Sequence, residues 1–70
     1  MKGGENELLN LKIARIKKGL SQSELAELVN VQAFSISRYE TGTQWPSIET
    51  LLRMSEVLEV SVDHLLGKEK

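Results

Sequence analysis

Apolar residues recur at three- and four-residue spacing in five successive stretches, and each stretch reads as a short helix. Leu8, Leu11 and Ala14, with Arg15, share one side of a helix expected from Glu7 to Lys18, which Gly19 stops. A second stripe on that helix, Leu9, Ile13 and Ile16, has two readings. Packing between the first and last helices can cover it, or it can be a partner or dimer surface. Ser21 with Glu24 three residues on is a capping box, and it opens a helix whose apolar side is Leu25, Ala26, Leu28 and Val29. Asn30 stands where the following turn requires positive φ. The third helix starts near Gln32 and runs to about Thr41, with Gly42 ending it. Ile36 and Tyr39 face its core, while Ala33, Phe34, Ser37 and Arg38 point outward. Ser47 caps a fourth helix patterned by Ile48, Leu51, Leu52, Ser55 and Leu58, which Met54 and Val57 broaden. Ser61 caps a last short helix carrying Val62, Leu65 and Leu66. Five short helices and no strand predict a compact all-α fold. The polar stretch 1–6 is expected to be a flexible arm, 7–66 the domain and 67–70 a charged tail.

Seventy residues suffice for one domain near the lower size limit for unassisted folding. The chain has no cysteine, which excludes disulfides and thiolate metal sites. Neither a membrane-length apolar run nor a signal-peptide pattern is present, so the expected location is the cytoplasm. Nine Lys and Arg against ten Asp and Glu give a net charge of -1, where nucleic-acid domains are commonly basic. The charges are uneven. Lys12, Arg15, Lys17 and Lys18 form a basic pole, and Glu49, Glu56, Glu59 and Asp63 outweigh Arg53 at an acidic one.

Between the second and third patterns lies a linker too short for antiparallel packing, so these helices should cross steeply, with Ala26 and Ser35 as the small residues at the contact. Such a pair, over 22–41, is a helix-turn-helix. Its second helix enters the major groove, N-terminal residues first. Gln32 can present a bidentate amide to adenine, Arg38 can bond guanine or a phosphate, and Phe34 and Ala33 can meet a thymine methyl. Ser37 can serve either partner. The backbone amides of Gln22 and Ser23 offer a phosphate site, and the Gln22 side chain can bond that phosphate or buttress Gln32. Other readings stand beside these. Phe34 can pack against the loop holding Trp45, Arg38 and Glu40 can be a solvated pair, and Trp45 can be an anchor on Pro46 or a phosphate or partner contact.

The segments LKIARIKKGLSQSELAELVNV, ISRYETGTQWPSIETLL and VSVDHLL, in this order, closely resemble the Cro/CI-type helix-turn-helix family of lambda-repressor-like DNA-binding domains, from about Leu9 to Leu66. The resemblance implies that Gln22, Gln32, Ala33, Phe34, Ser37 and Arg38 face DNA and that Thr43 and Gln44 lie in a backbone-contacting loop. It also implies that Arg15 and Glu40 tie the first helix to the third. It departs at Asn30 and Glu59, where the family usually has Gly, and at Gln32 and Phe34, where it usually has Ser or Thr and a polar residue. The implied function is sequence-specific binding of double-stranded DNA by a transcriptional regulator, a repressor acting as a dimer on a near-palindromic operator. A protein-interaction or antitoxin-like module on the same fold is the alternative, favoured by the negative charge and the Leu9, Ile13, Ile16 stripe. No cofactor, metal or small-molecule ligand is expected. His64 is the only histidine, and no nucleophile or phosphate-loop motif is present, which argues against an enzyme.

Overall fold

Each helix is closed by the same device. The computed structural model describes residues 8–68 and contains α1 (Leu9–Lys17), α2 (Gln22–Val29), α3 (Ala33–Thr41), α4 (Ile48–Leu58) and α5 (Val62–Leu65). Within two residues of each helix end stands a residue of positive φ: Gly19, Asn30, Gly42, Glu59 and Gly67. The next amide then reaches back five residues, as in Leu20 to Arg15 O, Val31 to Ala26 O, Thr43 to Arg38 O and Val60 to Ser55 O. This bond takes up carbonyls that a helix end leaves unsatisfied. The expected arm at 1–6, the start of the first helix at Glu7 and the end of the tail lie outside the described residues.

The starts are equally specific. Ser21 and Glu24 form the full capping box at α2, and Ser47 and Ser61 accept the amides of Thr50 and His64 at α4 and α5. Leu8 precedes α1 without a side-chain cap. Its amide instead donates to Tyr39 O at 3.3 Å, which fastens the entry of α1 to α3.

One core joins all five helices. Leu8, Leu11, Leu25, Val29, Ile36, Leu51, Met54 and Leu65 are essentially inaccessible, with Ala14, Ala26, Tyr39 and Leu58 nearly so. α2 and α3 share the largest contact, and the small residues Ala26 and Ser35 are both buried there.

Three expected core positions are instead exposed. Leu28, Ile48 and Leu52 face solvent, and the inner side of α4 is Thr50, Leu51, Met54 and Leu58. At about 100° per residue, Ile48 and Leu52 are turned away from the arc centred on Met54. So much of α4 is apolar that periodicity does not say which arc faces inward. The stripe on α1 is also uncovered, with Leu9, Ile13 and Ile16 at 57%, 43% and 57% exposure. α5 does pack on α1, but along a neighbouring side, where Asn10 Nδ2 donates to His64 O at 2.7 Å. No helix of the described residues is long and apolar enough to cross a membrane.

Candidate nucleic-acid interface

α3 separates its residues into two sets. Ser35, Ile36, Tyr39 and Glu40 are buried, whereas Gln32, Phe34 and Arg38 are exposed and Ala33 and Ser37 half-buried. Ala33 packs partly against the core, so it presents less to a ligand than its helical phase alone suggests. Gln32 occupies the N-cap position without a side-chain hydrogen bond to the helix, which leaves its amide available at the leading end of α3.

Glu40 fixes the angle of this helix. Its carboxylate takes Arg15 Nε at 2.6 Å and Arg15 Nη2 at 3.3 Å from α1, and Gln22 Nε2 at 3.1 Å from α2. Arg15 Nη1 also donates to Leu20 O at 2.8 Å, so one buried cluster joins three helices and the α1–α2 turn. The pair is almost dry, with side-chain exposures of 10% and 4%. Gln22 thus buttresses Glu40, not Gln32, and Glu40 belongs to Arg15, not to a solvated pair with Arg38. The involvement of Gln22 has no signal in spacing, since its partner lies eighteen residues away.

Arg38 has a different neighbour. Its guanidinium carbon sits 4.7 Å from the centroid of the Phe34 ring, one helical turn earlier. The i, i+4 spacing is the signal that could have revealed this contact. Phe34 therefore lies beneath the Arg38 guanidinium, and the residue remains 55% exposed.

The flanks of α3 are polar and neutral. Thr43 and Gln44 are exposed, and their amides donate to Arg38 O at 3.0 Å and 3.3 Å, folding the loop back on the helix end. Trp45 is exposed beside buried Pro46. At α2, Ser21 Oγ takes the amide of Glu24, which leaves the amides of Gln22 and Ser23 outside the cap, with Ser23 exposed. The basic pole is smaller than composition suggests. Arg15 is buried against Glu40, Lys18 Nζ lies 2.6 Å from Glu59, and Lys12 and Lys17 are exposed. Arg53 pairs with Glu49 along α4. Among the described residues no group of His, Cys, Asp and Glu could hold a metal ion.

Known proteins share this fold. A family model described as helix-turn-helix matches residues 11–65. The HTH-type transcriptional regulator ImmR of Bacillus subtilis is 43% identical over 60 residues, covering 86% of this chain and 47% of the regulator. The chain thus spans about half the length of the curated relatives it matches. The P22 c2 repressor, solved in complex with a synthetic operator, superposes with a TM-score of 0.82 at 31% identity over 87% of this chain and 92% of the repressor. The clp gene regulator ClgR from Corynebacterium glutamicum superposes with a TM-score of 0.80 at 29% identity, covering 97% of this chain and 72% of ClgR.

Proposed function

The chain belongs to the helix-turn-helix family of Cro/CI type, and on that premise we propose that it binds double-stranded DNA sequence-specifically as a transcriptional regulator, a repressor in the simplest case. The observation that carries the proposal is the outer face of α3. Gln32, Phe34 and Arg38 stand clear of the core on a helix locked by the Arg15–Glu40–Gln22 cluster. Set in the major groove, α3 presents an amide, an aromatic ring and a guanidinium to base edges, with Ala33 and Ser37 beside them. The amides of Gln22 and Ser23, with Thr43 and Gln44, meet the phosphates on either side. Regulation follows from occupancy of the site, with no bond made or broken, in the cytoplasm.

Domain size supports a dimer on DNA. Half-sites one helical turn apart lie about 34 Å centre to centre, and this domain extends 32 × 26 × 22 Å. Two copies on adjacent half-sites therefore come within touching distance. The domain is assigned to 7–66, flanked by the arm 1–6 and the tail 67–70.

The test is selection of duplexes from a random pool, followed by titration of an enriched and a scrambled duplex at two salt concentrations. Arg38→Ala is expected to weaken the enriched duplex by about 1–3 kcal/mol while changing the scrambled one much less. Equal weakening of both would make Arg38 a phosphate contact, and no enrichment would remove the DNA reading.

One observation favours a second reading. Leu9, Ile13 and Ile16 form an uncovered stripe, and with Trp45 they offer a surface for a protein partner. A folded sample that binds no duplex but self-associates by light scattering would establish this reading instead.

A further inference from the structure

We infer that Phe34 and Arg38 act as one reading unit, recognising a base step in which a thymine methyl lies beside a guanine. The inference rests on the DNA-binding reading above and goes beyond it, because it makes the two residues interdependent and names the step they read. Phe34 is 55% exposed on the outer side of α3, and the Arg38 guanidinium lies over its ring, 4.7 Å from the centroid. A guanidinium stacked by its face keeps its N–H donors free at its rim. Arg38 forms no ion pair among the described residues, so no carboxylate competes for those donors.

The spacing suits neighbouring base pairs. Residues one turn apart are separated by about 6 Å along the helix axis. Long helical side chains lean toward the N-terminus, which brings the Arg38 tip back over Phe34. The two tips are then closer than their backbones and approach the 3.4 Å spacing of stacked bases. In the major groove the ring meets a C5 methyl, and the guanidinium bonds O6 and N7 of guanine. The stack holds the arginine in place before it reaches DNA, so loss of the ring should weaken guanine recognition as well as methyl recognition.

The experiment starts from duplexes enriched by the wild-type chain. Each enriched half-site should carry thymine adjacent to guanine, and both orders of the step count. Replacing that thymine by uracil removes one methyl and should weaken the wild type about fourfold, the worth of one buried methyl-sized group. The same replacement should leave Phe34→Ala unaffected. Phe34→Ala and Arg38→Ala should each weaken binding, and the double variant should bind more tightly than the product of the two single effects predicts. Phe34→Leu, which keeps apolar surface but has no ring to stack, should retain the response to uracil while losing part of the preference for guanine. Both side chains are exposed, and matched melting curves would show that the fold is intact. Uracil tolerated by the wild type, single effects that simply multiply, or enriched sites without such a step would each overturn the unit. In all three cases DNA binding itself would stand. No enrichment at all would instead remove the DNA reading and this inference with it.

Discussion

Glu40 concentrates more of the structure than any other side chain on α3. It is charged, almost fully buried, and accepts from two helices besides its own. Removing one member of such a pair leaves the other charge buried without compensation, which costs about 3–5 kcal/mol, whereas removing both charges costs much less. Glu40→Ala should therefore lower the urea midpoint severely, and Arg15→Met combined with Glu40→Leu should recover much of that loss. A double variant less stable than Glu40→Ala would show that the cluster contributes net stability and does more than fix the orientation of α3. At this scale the sequence was legible through resemblance and opaque to pattern. Nothing in the spacing of Arg15, Gln22 and Glu40 brings them together, because the contact is made by helices folding onto one another. The Phe34–Arg38 stack lay within reach, since both residues are on one turn-spaced face of one helix.

Helix ends were the most legible elements, because a cap is a local negotiation among four to six residues. Ser21, Ser47 and Ser61 all cap where the sequence places them, and Asn30 and Glu59 hold the left-handed conformation at φ 63 and 59. Helix faces were less legible. Leu28, Ile48 and Leu52 fall on the right period and the wrong arc, a choice that only the neighbouring helices decide. The end of α4 also yields a prediction in which two effects oppose. Glycine at position 59 relieves the strain of a side chain at positive φ but removes the ion pair with Lys18, an exposed contact of small value. Relief should win, and Glu59→Gly should raise Tm by a few degrees, on the order of 2–5 °C. Hydrogen bonding from Lys18, with its positive charge, lowers the pKa of the Glu59 carboxyl. The pair therefore stabilises the fold above the ordinary carboxylate value, and that contribution is lost as pH falls through the lower folded-state value. The advantage of the glycine variant should thus be larger below about pH 4.5 than at pH 7. A glycine variant that melts lower than wild type at both pH values would contradict the strain argument.

The whole molecule carries a net charge of -1, and the ion pairs among the described residues consume Arg15, Lys18 and Arg53. On the proposed interface Arg38 is the charged residue, and the other contacts are amides, hydroxyls, an alanine and an aromatic ring. Counterion release counts cations placed on phosphates, with a slope of about -0.9 for each. The affinity of one domain for its half-site should consequently fall only gently with salt, with a slope of roughly -1 to -3, allowing for Lys12 and Lys17 near the backbone. A slope steeper than about -6 would require a basic surface that residues 8–68 do not present. Composition correctly reported a chain poor in excess cations, but it overstated the basic pole, because pairing is invisible until the helices are packed. The same packing leaves Leu9, Ile13, Ile16, Leu28, Trp45, Ile48 and Leu52 on the outside. A large exposed apolar patch often marks an interaction surface, which makes the location of the DNA contact the decisive question. Amide chemical-shift mapping answers it, by titrating the isotopically labelled chain with an enriched duplex. An interface on α3 predicts that the largest perturbations fall on Gln22, Ser23, 32–38, Thr43 and Gln44, while Leu9, Ile13 and Ile16 stay unmoved. Perturbations centred on 9–16, with α3 unchanged, would contradict it.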